Sequence, residues 1–152
     1  MRTYKTLFIL SVTALGAGCK TAQKTVPAKT EFVFRVQVQE KYCGGARISD
    51  EMQLDFEKQK PFRNGDLMLV NDARKDSVRL FLNADGSGRL TLQPALYKVF
   101  FAEKIDTPDR ADMRSCPDWK SRADTIIDLS PARTSLELQL YKGCNPCLPA
   151  RP

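Results

Sequence analysis

The sequence predicts an all-β fold, a seven-stranded antiparallel Greek-key sandwich with one short helix. Residues 31–39, EFVFRVQVQ, alternate apolar and polar side chains, and period two over that length marks a half-buried strand. Six further short apolar runs follow at hairpin-like spacing, separated by Gly, Pro, Asn and Asp. There is no internal repeat and no second composition regime, so a single two-sheet domain can hold them all.

In the first strand Phe32, Phe34, Val36 and Val38 share one side, and Arg35, Gln37 and Gln39 the other. Tyr42-Cys43-Gly44-Gly45 ends it with a turn signal. Residues 49–57, SDEMQLDFE, predict the short helix. Ser49 is a suitable N-cap, Asp50 and Glu51 suit the first turn, and Met52 and Phe56 lie four apart. Pro61 closes that segment, and Asn64-Gly65 turns the chain into a strand at 66–70. A polar loop at 71–76 leads to a strand at 77–82, where Val78, Leu80 and Leu82 alternate with Arg79 and Phe81.

Asp85-Gly86 is a hairpin signal between alternating runs. Leu90 and Leu92 point one way; after a Pro94-Ala95 turn, Tyr97, Val99 and Phe101 form the next inward set. Residues 103–122 read as polar and irregular, with Pro117 opening one helical turn around Trp119. Segments 124–129 and 134–141 are the last strands, with Pro131 between them. Three prolines in the nine residues of the tail CNPCLPARP exclude regular structure there. Trp119, Phe81 and Phe101 are assigned to the core rather than to a binding surface.

The first residues carry an address. Arg2 and Lys5 form a positive n-region, Leu7 to Leu15 a short apolar stretch, and Gly16-Ala17-Gly18 a small-residue site directly before Cys19. That is the layout of a secretory signal, and its apolar part is shorter than the about 20 residues a spanning helix needs. The cysteine after Gly-Ala-Gly resembles the lipobox of bacterial lipoproteins, with Leu15 one place further from the cysteine than usual. The resemblance implies cleavage before Cys19 and lipidation of that residue. Residues 20–30, KTAQKTVPAKT, are polar and aperiodic and suit a tether. Several acyl chains would hold stably, since each buried CH₂ contributes about 0.8 kcal/mol and one chain is marginal. Lys20 after the cysteine fits the outer membrane of Gram-negative cells by the same resemblance, with either face open. The expected organisation is therefore a signal peptide at 1–18, a lipidated tether at 19–30, a β-sandwich at 31–141, and a Cys/Pro-rich tail at 142–152 packed on it.

Composition narrows the function. With 42% hydrophobic and 28% charged residues the chain is not of disordered type. The formal charge of +6 loses two units with Arg2 and Lys5, and the remaining basic residues are scattered, so they read as a solubilising surface and not a nucleic-acid footprint. The absence of histidine removes the usual neutral-pH general base and the commonest metal ligand. No phosphate-binding glycine loop or nucleophile elbow is present. Asn83-x-Asp85-x-Ser87-Gly88 opens like a calcium loop, but Pro94 stands where a bidentate carboxylate is required, so it reads as a hairpin turn. Asp106, Asp109 and Asp112 read as solvated charges balanced by Arg110 and Arg114. No catalytic residue, metal site or cofactor is expected.

Residues 78–101 resemble the carboxypeptidase regulatory-like, or transthyretin-like, β-sandwich. Asn83-Ala84-Asp85-Gly86 matches its Asp-rich turn, Leu90-Thr91-Leu92 its short strand, and Pro94-Ala95-Leu96-Tyr97 its second turn and the tyrosine that follows. Ala95 stands where that family usually has glycine. Tyr42-Cys43-Gly44-Gly45-Ala46 and the tail look like small secreted Bacteroidetes-type proteins carrying this sandwich. The resemblance implies a transthyretin-like or Ig-like module that is mostly non-catalytic, an accessory or adhesion-like part.

Beyond Cys19, Cys43, Cys116, Cys144 and Cys147 remain, and an even number in an exported chain reads as two disulfides. The favoured arrangement ties the tail to the sandwich, with one of Cys144 or Cys147 on Cys43 and the other on Cys116. The alternative takes Cys-Asn-Pro-Cys as a redox or metal-handling motif similar to the thioredoxin-type Cys-x-Pro-Cys, but Pro149 and Pro152 leave no helix to lower a thiol pKa. The expected function is a non-enzymatic, lipid-anchored envelope protein, periplasmic or surface-facing, with an envelope-protein partner. A plug for a hydrolase cleft, using the loop 103–122, is a weaker expectation.

Overall fold

The computed structural model describes residues 28–45, 47–108 and 116–148. The signal segment, Cys19, most of the tether, Ala46, Asp109, Arg110, Asp112, Arg114, Pro149 and Pro152 lie outside the described residues.

The first strand, β1 (Thr30–Glu40), organises one sheet, and its alternating Phe32, Phe34, Val36 and Val38 are all buried. Two antiparallel strands share one edge of β1. They are β5 (Ser87–Leu92) along its first half and β2 (Lys60–Pro61) along its second. The other edge holds β8 (Ser135–Lys142), which runs parallel, with Val33 opposite Ser135 and Glu40 opposite Lys142. The second sheet is antiparallel throughout, in the order β4 (Asp76–Phe81), β3 (Asp66–Asn71), β6 (Leu96–Phe101), β7 (Thr125–Asp128).

The facing sides enclose one core. Phe32, Phe34 and Val36 from the first sheet meet Leu67, Leu69, Leu80, Val99 and Phe101 from the second. Burying each such side chain stabilises the fold by roughly 1.5–3 kcal/mol. Phe62 closes one end, its ring edge-on to Phe101 at 5.4 Å.

Between β4 and β5 the chain changes sheets through a tight turn. Asn83 N–H donates to Ser87 O, Gly86 N–H donates to Asn83 O, and the Asp85 carboxylate accepts from Ser87 N and Oγ at 2.9 and 2.6 Å. These bonds hold the Asp85 carboxyl below the usual carboxylate range. Gly86 has φ of 76°, and a Cβ there would lie 2.6 Å from Val36 O. Only glycine allows that close approach.

The described residues also form three helical segments: α1 (Asp50–Glu57), α2 (Ala102–Asp106) and α3 (Cys116–Ser121). Ser49 caps α1, accepting from Met52 N at 3.3 Å. No residue of α1 is buried, and Phe56 meets the Tyr42 ring at 5.6 Å.

The all-β, sandwich-like architecture is as expected, with several corrections. The described residues form eight strands rather than seven, because the two residues of β2 pair with β1. The described residues form three helical segments rather than one short helix: α3 is the turn expected around Trp119, and α2 lies mostly within the stretch 103–122 that reads as irregular. The sandwich is not wholly antiparallel. β7 ends where β1 begins, and the short link to β8 turns back from there, so β8 must run beside β1 in the same direction. Phe81 is 70% exposed, not core, because it sits on the outward phase of β4. Trp119 is half-buried at one end of the molecule rather than between the sheets.

Candidate functional site

The two ends of the sandwich are unlike. β1 enters at one, where the links 72–75, 93–95 and 129–134 are short. Asn71 Nδ2 there donates to Leu96 O at 3.1 Å, and its Oδ1 accepts from Arg74 N at 2.9 Å. The Arg74 guanidinium donates to Pro94 O at 3.1 Å and to the Gln93 side chain.

At the other end gather the described parts of the longer segments, 41–45 and 47–65, 102–108 and 116–124, and 143–148. Binding residues concentrate on loops held by a rigid scaffold, so this end is the candidate site. Two disulfides clamp it. Cys43 bonds Cys144 with a Cα–Cα distance of 5.5 Å, and Cys116 bonds Cys147 at 4.9 Å. The first bridge is exposed; the second is buried, with Cys116 0% and Cys147 1% accessible.

A buried ion pair anchors the same end. Lys104 is 4% exposed. Its Nζ donates to Asp124 Oδ1 at 2.6 Å and to Arg122 O at 3.1 Å, and it lies 5.2 Å from the Trp119 ring centroid. Asp124 Oδ2 accepts from Phe101 N at 2.8 Å. Every charged atom of the pair therefore has a partner, which is the condition for burying charge without a large penalty. Lys120 Nζ donates to Thr107 O at 2.7 Å, Asn145 Nδ2 to Thr107 Oγ1 at 3.4 Å, and Lys142 pairs with Glu103 at 3.1 Å while lying over the Phe62 and Phe101 rings. Tail, α2 and α3 are thus one interlocked unit.

Beside it, α1 and β2 frame an open groove of about 310 Å³. Val38, Phe56, Pro61 and Phe62 supply its apolar lining, and Glu40, Lys58 and Arg63 part of its charged lining. Lys60 pairs with Asp55 there and holds that carboxyl below its ordinary range. A lining that mixes apolar and charged side chains suits recognition of a polypeptide.

The structure brings the four expected cysteines to one end. It does not join Cys144 to Cys147: Asn145 Oδ1 accepts from Cys147 N at 2.9 Å in a side-chain-closed turn, and each cysteine of the motif serves a different bridge. Asp106 is engaged by Arg79 at 2.6 Å, which also holds Asp66 at 3.0 Å. Among the described residues no group of three Cys, Asp or Glu side chains is placed to hold a metal ion. The sequence carries no mark of Lys104 and Asp124, the polar centre of this end. They lie 20 residues apart, and nothing local marks either as buried.

No family model matches the sequence, and no curated protein matches it. Among solved structures, two DUF3823 family proteins are similar to this chain. That from Parabacteroides merdae superposes with a TM-score of 0.40 at 16% identity, covering 76% of this chain and 46% of that one. That from Bacteroides ovatus gives 0.39 at 12% identity, covering 73% and 44%. The matched region thus spans less than half the length of either protein.

Proposed function

We propose that this protein is a non-enzymatic, lipid-anchored component of a bacterial envelope, held through Cys19, that presents its disulfide-clamped end to a protein partner. The observation that carries the reading is polarity. β1 begins at the end opposite the clamp, so a tether reaching Ala28 from a membrane would leave the groove and the interlocked unit pointing outward. The lipobox-like Gly-Ala-Gly-Cys19 supplies the anchor, and paired cysteines fit an oxidising compartment. On this reading the sandwich is a Greek-key, transthyretin-like module, the membrane is the outer one, and neither a cofactor nor nucleic acid takes part.

A clickable fatty acid fed to producing cells tests the anchor. Wild-type protein should carry label and sediment with membranes, whereas Cys19→Ala should lose the label and become soluble. Equal label in both would remove the anchor. Crosslinking from the groove, with a photoreactive residue at Lys58, should capture one recurrent envelope protein; capture of none would remove the partner.

The second reading, a thiol-disulfide or metal-handling protein using Cys144 and Cys147, needs those two thiols free or joined to each other. Alkylation without reductant, with peptide mapping of which cysteines are bonded to which, separates the two. No alkylation without reductant is expected, and four reactive thiols would favour the second reading instead.

A further inference from the structure

Among the strand edges, that of β8 is the longest. β7 has four residues, β2 has two and includes Pro61, β5 has six and includes Gly88, and β4 has six. β8 has eight, SLELQLYK, with no proline, no glycine and no left-handed residue to interrupt it. Natural sheets guard long edges with such interruptions or with charged side chains; β8 has no interruption, its inward residues are Leu136, Leu138 and Leu140, and its charges are Glu137 and Lys142.

The pairing with β1 fixes which backbone groups are available. Val33 N–H donates to Thr134 O at 2.8 Å and Lys41 N–H to Lys142 O at 2.9 Å. Even-numbered residues of β8 therefore bond β1. By the alternation of a strand, the N–H and C=O of Ser135, Glu137, Gln139 and Tyr141 point to the open edge. Among the described residues no backbone partner meets them there.

We propose that this edge is a homotypic docking site, with β8 of one molecule pairing antiparallel with β8 of a second copy across a two-fold axis through Leu138. The occupant follows from self-complementarity. An antiparallel ladder must match outward-facing residues with outward-facing residues, which restricts the register to steps of two. With Leu138 on the axis, Glu137 faces the second copy's Gln139 and Ser135 faces its Tyr141, so no like charges meet. Leu136 faces its Leu140, so the leucine faces of the two sheets join into one. Moving the axis to Glu137 sets two carboxylates directly opposite each other, which is destabilising. Moving it to Gln139 places Lys142 against the inward Leu136. One edge buries little area, so the expected Kd is on the order of 10–100 µM, in the range of transient interfaces.

Sedimentation of the full chain in mild detergent tests this, with three variants at one position. Wild type should pass from monomer to dimer as concentration rises. Gln139→Pro removes only an outward N–H, leaving the β1 ladder whole, and should be monomeric. Gln139→Lys creates two cross-strand ion pairs with Glu137 and should tighten the dimer roughly three- to tenfold, whereas Gln139→Glu should weaken it by a similar factor. Circular dichroism melts establish that each variant is folded; if Gln139→Pro is not, the two charge variants decide alone. A monomer at every concentration up to about 1 mM, a dimer indifferent to a folded Gln139→Pro, or equal affinity of the two charge variants overturns the proposal.

Discussion

Where β1 enters, the sandwich is closed by short links whose backbone groups are bonded by Asn71 and Arg74, side chains from the same few loops. At the opposite end the connections are long, α1 buries none of its residues, and order comes from bonds between segments far apart in sequence: Cys43 to Cys144, Cys116 to Cys147, Lys104 to Asp124. One end is stabilised locally and the other by cross-links. A surface built from cross-linked loops can vary in shape without disturbing the sheets, which is the usual division between scaffold and recognition surface.

Removing a cross-link should give the largest effect. The Cys43–Cys144 bridge spans 101 residues, and the chain-entropy model values such a loop at about 4.7 kcal/mol. Cys43→Ser with Cys144→Ser should therefore destabilise the protein by about 2–5 kcal/mol in urea titrations. The two bridges should also separate kinetically. Under mild reductant the exposed Cys43–Cys144 bond should open first, and trapping by alkylation should show an intermediate that keeps Cys116–Cys147. Simultaneous loss of both would mean that this end opens as a whole.

Lys104→Ala leaves the Asp124 carboxylate buried without its counter-charge and should cost about 3–5 kcal/mol, read in the same titration. Asn71→Ala, at the other end, leaves Leu96 O and Arg74 N without partners and should cost about 1–3 kcal/mol. Hydrogen exchange sharpens the contrast. The Asn71 variant should lose protection near 71–76 and 93–97 alone, whereas the Lys104 variant should lose it across α2, α3 and the tail. Similar exchange patterns in the two would erase the distinction between local and cross-linked ends.

The smallest expected effect lies in the β4–β5 turn. The Asp85 carboxyl is held below its ordinary range first by the Ser87 hydroxyl and then by Ser87 N–H. A folded-state pKa below the unfolded one contributes stability above the unfolded value and loses it as pH falls through the folded one. Asp85→Ala should therefore melt below wild type near about pH 7, and the difference should close near about pH 2. A gap that persists in acid would assign the effect to something other than the charge.

Period two made β1 and the inward faces of β4, β6 and β8 legible, because each is half-buried and the alternation survives in the side chains. It could not give direction: Leu136, Leu138 and Leu140 mark a face whichever way β8 runs. β2 is too short to show a period. α2 follows Phe100-Phe101 without a capping side chain, so a helix begins where the sequence still looks like strand. Size favours the core for Phe81, but its phase sets it beside Arg79, on the outward side. The cysteines announced the clamped end by their number, whereas Lys104 looked like any surface lysine, since burial here depends on Asp124 arriving from the far side of α3.

The pairing of the cysteines also sets an order of assembly. Cys43 and Cys116 each bond a residue of the tail, so as an exported chain enters an oxidising compartment from its N-terminus, with Cys19 taken by its lipid on the proposed reading, those two have only each other to react with until Cys144 and Cys147 follow. That early bond would be wrong. β8, the parallel neighbour of the first strand, arrives in the same late stretch, so β1 waits for its central hydrogen bonds as long as Cys43 waits for its sulfur. Correct maturation thus depends on holding the early cysteines apart or on shuffling them afterwards, and a cell lacking a disulfide isomerase should accumulate the Cys43–Cys116 isomer.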